Sequence, residues 1–424
     1  MRILKKILIL QLILVIIFTN SNVFADDIDE DDENNNDNSV ILSEEIESTN
    51  QAISNSKLVN KTIDKINVPT LNSRKVIVYD RLSGKKVYGK NENKETAMAS
   101  TTKIMTAIIV IENCKNFNDI VVIPAKAANI GGSRLKLNVN DKVTVNDLLY
   151  GMLLRSGNDA ALALALYTGG TIENFAEMMN QKASLLGLLH THFVTPHGLD
   201  DPNHYTTCYE LAKITDYALK NDKFSEIVKT KTATIKINDS PREIKNTNEI
   251  LCSNIDGVYG VKTGFTNNAG RCLVTSIKKN DMDFIIVVIG ADSRKYRASD
   301  TLKLIQYSFQ AFHVENIDEK IEEEFSNWQN INQSRIRIYK ASNSLHTKLS
   351  TYDIHKIATS SEVQIEINVL TNFDSPLSEN KKIGTLIVKN DDDIIEKIDI
   401  LVANKVNKMN ILDYIQLFSK CIVY

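Results

Sequence analysis

Residues 99–113 read ASTTKIMTAIIVIEN, a hydroxyl-rich motif that runs directly into an apolar stretch. The apolar residues recur at the spacing of one helix face and predict a helix over residues 101–113; they are Ile104, Ala107, Ile108 and Ile111. Ser100 and Lys103 stand three positions apart at the start of this helix, so they share a face and the ammonium can reach the hydroxyl. Because a serine needs a neighbouring base to act as a nucleophile, Ser100 is a candidate nucleophile with Lys103 as its base.

The S-x-x-K spacing is weak evidence by itself, because it recurs at other serines, namely Ser54, Ser83, Ser133, Ser276 and Ser378. What distinguishes Ser100 is that it opens an apolar, periodic helix. A lysine also acts as a base only where burial or a nearby cation lowers its pKa. The structural alternative is a helix-capping serine followed by a solvated lysine.

A second polar motif, Ser156-Gly157-Asn158, lies on a short loop between two helix-like stretches, residues 147–154 and 159–167. Its hydroxyl can relay a proton, and its Asn amide can bind a substrate carbonyl and the first lysine. Alone, the motif is more typical of a polar turn between two helices.

A third motif, Lys262-Thr263-Gly264, ends a predicted strand over residues 258–263. A glycine at this position lets a ligand approach the backbone closely. Lys262 offers a second cation and Thr263 a hydrogen-bond donor for a carboxylate. The alternative is an ordinary strand end before the turn at residues 266–268.

The pattern of elements predicts an α+β fold with helices packed on a sheet. The strands of the first part are predicted at residues 75–80, 86–89, 258–263, 270–277 and 284–291, and further helices at 172–186, 209–219 and 300–312. After about residue 314, short β-branched or alternating runs predict a small all-β domain, with strands at 334–339, 363–370, 383–388 and 394–402.

The amino-terminal part indicates export. Basic residues precede a short apolar run and a small residue at Ala25, the pattern of a signal peptide over residues 1–25. Residues 26–38 read DDIDEDDENNNDN, a density of like charge that predicts a solvated tether, and we extend this acidic, polar and disordered linker over residues 26–70. An uncleaved amino-terminal anchor is the alternative to the signal peptide.

Composition excludes several classes of protein. The chain has 424 residues, 43% of them apolar and 24% charged, with a net charge of −3, so it is neither disordered throughout nor a multi-span membrane protein. Without the acidic linker the remainder is only mildly basic, and we expect no nucleic-acid partner. The five cysteines form no C-x-x-C pair and do not indicate a disulfide framework.

The three motifs in this order are typical of penicillin-binding proteins and class A β-lactamases. The chain resembles the D-alanyl-D-alanine carboxypeptidases, the low-molecular-weight penicillin-binding proteins of serine peptidase family S11. The resemblance covers about residues 76–312 and includes ASTTKIMTA, DLLYGMLLRSGNDAALALA, PHGLDDPNHYTT and GVKTGFTNNAGRCLV. The middle motif written S-G-N favours carboxypeptidases over β-lactamases. The segment KKIGTLIVKNDDDIIEKIDIL resembles the family's carboxy-terminal module.

The resemblance implies the DD-peptidase and β-lactamase-like fold, with helices on an antiparallel sheet. It implies a catalytic domain over residues 71–313, a β-rich domain over 314–406 and an amphipathic tail helix over 407–424. The substrate would be a peptidoglycan stem peptide, β-lactam antibiotics would be inhibitors, and neither a cofactor nor a metal is expected. The protein would act outside the cell, on the outer face of the cytoplasmic membrane or in the cell wall.

The resemblance also implies residue roles. Ser100 would attack the carbonyl between the two D-alanines, Lys103 would take its proton, and Ser156 with Lys262 would pass a proton to the leaving D-alanine. Asn158 would hold the substrate amide, and the backbone N–H groups of Ser100 and Phe265 would form the oxyanion hole. The remaining substrate-binding residues of the implied site are Thr263, Gly264 and Arg297, with Thr263 and Arg297 at the terminal carboxylate.

Other functions remain open from the residues alone. A zinc peptidase is one, because His190, His192, His197 and His204 cluster, but the H-E-x-x-H spacing is absent and a polar surface loop is the simpler interpretation. A β-lactamase and a non-catalytic peptidoglycan-binding envelope protein are the others. The tail places apolar residues on one helix face, Ile411, Ile415, Phe418 and Ile422, and we predict that this face lies on the membrane surface rather than against the β domain.

Overall fold

The computed structural model describes residues 41, 43–56, 66–390 and 393–422. The predicted signal peptide, the acidic run at residues 26–38 and the last two residues of the tail lie outside the described residues.

The helices follow one another in chain order, with a 3-10 turn over Ala99–Thr102 directly before the second of them. They are α1 (Ser43–Asn55), α2 (Lys103–Asn113), α3 (Ala125–Ala128), α4 (Val145–Leu154), α5 (Asn158–Gly169), α6 (Ile172–Leu185), α7 (Cys208–Leu219), α8 (Asp222–Val228), α9 (Glu249–Cys252), α10 (Arg294–Ala311), α11 (Ile317–Asn332) and α12 (Ile411–Ile422).

The strands fall into one large sheet, a smaller carboxy-terminal sheet and several two-stranded pairs. They are β1 (Lys75–Asp80), β2 (Lys85–Lys90), β3 (Ile120–Val122), β4 (Lys142–Thr144), β5 (Thr232–Ile237), β6 (Ser240–Lys245), β7 (Val258–Thr266), β8 (Gly270–Lys279), β9 (Met282–Ala291), β10 (His313–Asn316), β11 (Arg337–Tyr339), β12 (Thr347–Leu349), β13 (Lys356–Thr359), β14 (Val363–Val369), β15 (Asn372–Asp374), β16 (Lys382–Asn390) and β17 (Asp393–Val402).

The large sheet has the order β2-β1-β9-β8-β7, and its strands pair antiparallel. Its middle strand, β9, is buried along its whole length. Because successive side chains point to opposite faces, Ile285, Val287 and Ile289 enter one core while Phe284, Ile286 and Val288 enter a second core on the other face. The predicted α+β fold with an antiparallel sheet is therefore confirmed.

Helices cover both faces of this sheet. One core contains α2 and α4 to α7, and the other contains α10. Helix α2 is buried on all sides from Lys103 to Ile111 rather than along a single stripe, as expected for a helix at the centre of a domain. The S-x-x-K motif thus sits at the start of a helix that the core encloses on all sides.

Helix α1 corrects the expectation that residues 26–70 are disordered throughout. Residues 43–55 form a helix whose Ala52 and Ile53 are buried in the core beneath α10. Gln306 of α10 also donates hydrogen bonds to Ser48 and Thr49. The acidic composition of the region hid this short apolar stripe, which gains stability from tertiary packing rather than from helix propensity.

The carboxy-terminal β domain is confirmed and has its own core around the sheet β12-β17-β16-β14. It also carries α11, a helix that the sequence interpretation did not include, whose Ile317, Ile321 and Phe325 pack into that core at helical spacing. The domain contacts the catalytic part through Asp80, whose buried carboxylate accepts a hydrogen bond of 3.1 Å from the backbone N–H of Ala358 on β13.

Helix α12 follows the β domain at the predicted place in the tail. Of the helices in the described part of the chain, none combines the length and the apolar character that a membrane crossing requires.

Candidate active site

Ser100 lies in the 3-10 turn that leads into α2, where it is almost fully buried. The residue before it, Ala99, has a φ of +48°, in the left-handed region that non-glycine residues rarely adopt. Such backbone strain persists only where the surrounding structure enforces it. The turn places the Ser100 hydroxyl and backbone N–H next to the amino-terminal end of a helix, which favours negative charge.

Lys103 contacts the Ser100 hydroxyl directly. Its Nζ lies 2.6 Å from Ser100 Oγ, 2.7 Å from Asn158 Oδ1 and 3.0 Å from the carbonyl oxygen of His197. The side chain has no exposed surface. Because these acceptors come from three separate segments, the position of the amine relative to Ser100 is determined by the tertiary structure.

Asn158 is the first residue of α5 and links this amine to a neighbouring loop. Its side-chain Nδ2 donates to the carbonyl of Gly131 at 2.8 Å, which orients its Oδ1 toward Lys103. The next residue, Asp159, accepts backbone hydrogen bonds from Leu135 and Leu137. Burial raises the pKa of the Asp159 carboxyl, and these hydrogen bonds act in the opposite direction.

Ser156 lies on the loop between α4 and α5, two residues before Asn158, and is buried. It has a φ of +60°, so its backbone, like that of Ala99, is in the left-handed region. The S-G-N motif reaches Lys103 through Asn158, whose Oδ1 accepts a hydrogen bond from Lys103 Nζ.

Strand β7 carries the third motif past the Ser100 turn. A Cβ on Gly264 would lie 3.1 Å from the Ser100 backbone nitrogen, so a glycine allows the strand to approach this closely. Lys262 and Thr263 precede it on the same strand, and both are buried. Thr263 exchanges a hydrogen bond of 2.8 Å with the Thr247 hydroxyl, which orients its side chain.

Of the two further predicted residues, Phe265 lies on β7 itself and Arg297 lies on α10. Phe265 is half-buried, and the Arg271 guanidinium stacks 3.8 Å from the centre of its ring. Arg297 on α10 has 0% exposure, and its Nε and Nη2 donate to the Glu249 carboxylate at 2.9 and 2.8 Å. The guanidinium is enclosed and paired with Glu249, and its contact with a substrate carboxylate stays a prediction.

The segment from Val194 to His204 contributes to the site although the sequence interpretation placed its histidines on the surface. His197 and His204 are buried, whereas His190 and His192 are exposed. Burial lowers the pKa of His197 to about 3, with the neighbouring Lys103 as a second cause, and burial lowers the pKa of His204 to about 4. Both rings are therefore neutral near pH 7.

Gly198 explains how this segment fits against the nucleophile turn. It has a φ of +89°, and a Cβ there would lie 1.9 Å from the carbonyl oxygen of Ala99. The sequence Pro196-His197-Gly198 was the signal for this contact, because a glycine lets two backbone segments approach closely. Within the described residues, no three His, Cys, Asp or Glu side chains are close enough to share a metal ion.

Comparison with known proteins gives one consistent family. The D-alanyl-D-alanine carboxypeptidase model, Peptidase_S11, matches residues 60–293, more than half of the chain. D-alanyl-D-alanine carboxypeptidase DacF of Bacillus subtilis is 29% identical over 354 residues, which are 81% of this chain and 88% of that protein. DacA of Haemophilus influenzae is 31% identical over 81% of this chain and 87% of its own length.

Solved structures agree with the sequence matches. Penicillin binding protein 5 from Haemophilus influenzae superposes with a TM-score of 0.66 at 29% identity, covering 81% of this chain and 100% of that chain. The similarity therefore extends over the catalytic part and the carboxy-terminal β domain together.

Proposed function

This chain belongs to the D-alanyl-D-alanine carboxypeptidase family, peptidase family S11, and on that basis we propose that it is a serine carboxypeptidase of cell-wall metabolism. It removes the terminal D-alanine from peptidoglycan stem pentapeptides through an acyl-serine intermediate. The observation that carries the proposal is the 2.6 Å hydrogen bond between Lys103 Nζ and Ser100 Oγ inside a buried site.

Acylation follows from this geometry. Ser100 Oγ attacks the carbonyl carbon between the two D-alanines while its proton passes to Lys103. The carbonyl oxygen becomes negative and is stabilised by the backbone N–H groups of Ser100 and Phe265. The C–N bond then breaks, and a proton delivered through Ser156 and Lys262 leaves with the D-alanine amine.

Substrate binding uses the edge of the sheet. Strand β7 is the last strand of the large sheet, so an extended peptide can lie beside it and form backbone hydrogen bonds. Asn158 holds the substrate amide, and Thr263 with Arg297 binds the terminal carboxylate. Arg297 also donates to the Glu249 carboxylate on α9 and to the Cys272 carbonyl on β8, which hold its guanidinium in place.

Hydrolysis of the acyl-enzyme completes the reaction. A water molecule attacks the ester carbonyl and gives its proton to Lys103, and Ser100 leaves with a proton. The same serine would be acylated by β-lactams, whose amide resembles the D-Ala-D-Ala bond and whose ring leaves the acyl group attached. Peptide mapping of a labelled penicillin should place the label on Ser100 and nowhere else.

The decisive experiment is D-alanine release from a stem pentapeptide by the wild type and by Ser100→Ala. The matched control is Ser378→Ala, which removes an exposed serine of another S-x-x-K sequence in the β domain. We expect release by the wild type and the control and none by Ser100→Ala. Release by Ser100→Ala at the wild-type rate, or release that requires zinc after treatment with a chelator, would contradict the proposal.

We further propose that the protein acts outside the cytoplasm and that α12 holds it on the outer face of the membrane. The apolar side chains Ile411, Ile415 and Phe418 share one face and are 78%, 58% and 67% exposed. Such exposure argues against the alternative in which this face packs on the β domain, and an amphipathic helix of this kind binds in the membrane interface.

Cell fractionation tests the anchor. The full-length protein should sediment with membranes and a form truncated after Asn407 should not, provided that cleavage of the signal peptide is verified for both. Equal partitioning of the two forms would refute the anchor and leave the catalytic proposal untouched.

A further inference from the structure

A chain of hydrogen bonds runs from the buried His204 ring to the backbone beside the nucleophile. His204 Nδ1 lies 2.9 Å from the Val194 backbone nitrogen, and His204 Nε2 lies 2.8 Å from Thr102 Oγ1. Thr102 Oγ1 in turn lies 2.8 Å from the Ala99 carbonyl oxygen. His204 and Thr102 are nearly inaccessible to solvent.

The direction of every hydrogen bond in this chain is determined by its ends. The Val194 N–H can only donate, so His204 Nδ1 accepts and the ring proton is on Nε2. Nε2–H therefore donates to Thr102 Oγ1, and the Thr102 hydroxyl donates to the Ala99 carbonyl, which can only accept. The chain is complete only with a neutral imidazole in this one tautomer.

The end of the chain is the peptide unit that contains the Ser100 N–H. The Ala99 carbonyl and the Ser100 N–H belong to one planar peptide group, so fixing the oxygen also fixes the direction of the N–H. This peptide follows a residue with φ of +48°, a conformation that does not persist without support. The Gly198 backbone packs against the same carbonyl, since a Cβ there would lie 1.9 Å from its oxygen.

We propose that His204 and Thr102 are positioning residues that aim the Ser100 N–H at the oxyanion of the acylation transition state. The proposal rests on the carboxypeptidase function proposed above. Neither residue touches the substrate, and their effect passes through the Ala99–Ser100 peptide. The neutral, fully engaged ring of His204 gives this buried histidine a role in catalysis that requires no proton transfer and no metal.

The surroundings of His204 allow a test by substitution. Phe193 packs edge-on against the ring at 5.7 Å, so the site accepts an aromatic side chain. Thr102→Val and His204→Phe remove the hydrogen bonds while keeping the volume of the side chain. Thr102→Ser and His204→Gln keep an acceptor and a donor at the same places.

A control comes from the neighbouring residue. The buried Thr101 hydroxyl donates to the Met98 carbonyl, which belongs to a different peptide unit. Thr101→Val therefore removes an equivalent buried hydrogen bond from the same turn without touching the Ala99–Ser100 peptide. This variant therefore measures how much the loss of one buried hydrogen bond in the turn affects stability, separately from the position of the Ser100 N–H.

The measurement is acylation by a fluorescent penicillin, with the number of reactive sites per chain, the dissociation constant of the initial complex and the acylation rate constant determined separately. We expect Thr102→Val and His204→Phe to lower the rate constant between about 10- and 100-fold, with a nearly unchanged dissociation constant and one reactive site per chain. Thr102→Ser, His204→Gln and Thr101→Val should stay within about threefold of the wild type.

The double variant distinguishes a shared chain from two separate effects. Residues that act as one unit are not additive, so Thr102→Val combined with His204→Phe should be no slower than the slower single variant. Wild-type rates in both single variants, additive losses in the double variant, or an equal loss in Thr101→Val would overturn the proposal. A wild-type protein that is not acylated at all would instead refute the carboxypeptidase function.

Discussion

Replacing Gly198 with alanine should misplace the nucleophile turn without touching any residue that contacts the substrate. The added Cβ would lie 1.9 Å from the Ala99 carbonyl oxygen and 2.5 Å from the Ala99 carbonyl carbon, whereas ordinary contacts begin at 3.4 Å. Both are backbone atoms, so no side chain can rotate away. The segment containing Gly198 and the turn containing Ser100 must separate by about 1.5 Å.

The size of the effect follows from two contributions. The left-handed backbone at φ +89° costs about 1–2 kcal/mol for any residue with a Cβ. Overpacking against Ala99 adds about 1–3 kcal/mol to the loss in the free energy of unfolding. A displacement of about 1 Å at reacting groups lowers rates on the order of 100-fold, so acylation should fall by at least that factor.

The control is Gly187→Ala. Gly187 also has a positive φ, +67°, but no atom lies within 4 Å of the position of its Cβ. The control therefore has the backbone strain of the test variant without the steric contact. Thermal unfolding and acylation by a fluorescent penicillin are measured for both, with the rate normalised to the titrated number of reactive sites.

We expect Gly187→Ala to lose stability while it acylates at close to the wild-type rate, and Gly198→Ala to lose both. If Gly198→Ala is acylated within about twofold of Gly187→Ala, the turn can relax at no catalytic cost. The reasoning that ties the position of Ser100 to the segment beneath it would then be refuted.

Further predictions concern the amines, the pH dependence and the domain contact. Lys103→Ala and Lys262→Ala should each abolish penicillin acylation in a folded protein, and near-normal acylation of Lys103→Ala would require another base. Burial lowers the pKa of His197 to about 3 and that of His204 to about 4, from about 6.5 in the unfolded chain. The unfolded state therefore binds more protons, so the free energy of unfolding falls as the pH drops from about 6.5 toward these values. In urea titrations at several pH values, the free energy of unfolding of His204→Gln should fall less steeply with decreasing pH than that of the wild type. Asp80→Asn should lower the free energy of unfolding by about 1–3 kcal/mol, because an amide N–H then faces the buried donors of Ser83 and Ala358 at the domain contact. An unchanged free energy of unfolding would argue against this contact.

Elements with a clear run of apolar residues could be predicted from the sequence. The run at 284–291 predicts a buried strand, and β9 covers Met282–Ala291 with alternate side chains in two cores. The predicted helix at 159–167 corresponds to Asn158–Gly169. In such segments the sequence and the tertiary structure agree because an element that is buried on both faces is apolar almost throughout.

Other elements lacked a sufficient local signal or had one that was overlooked. The hairpin of β5 and β6 turns at Asn238 and Asp239, both with positive φ, and an Asn-Asp pair between alternating residues indicates such a turn. Helix α1 is different, since its few apolar residues are stabilised by tertiary contacts with α10 and the core beneath it.

In the site, too, some features are visible in the sequence and others depend on tertiary contacts. The three motifs and their order are visible in the sequence, and they indicate serine chemistry because a hydroxyl and an amine stand one helical turn apart at Ser100 and Lys103. The placement of Arg297 could not be predicted, because its ion pair with Glu249 joins residues far apart in the chain. The burial of His204 depends equally on a distant partner, Thr102.

The sequence by itself determined the class of chemistry, the family and the order of the elements around Ser100, since these depend on residue types, short spacings and hydrophobic periods. Only the tertiary structure decided which atoms surround Lys103, how the strained turn at Ala99 is held and where Arg297 is directed. These features depend on contacts between segments that are distant in the chain. Their distances follow from how the helices and the sheet pack, which no local pattern of residues specifies.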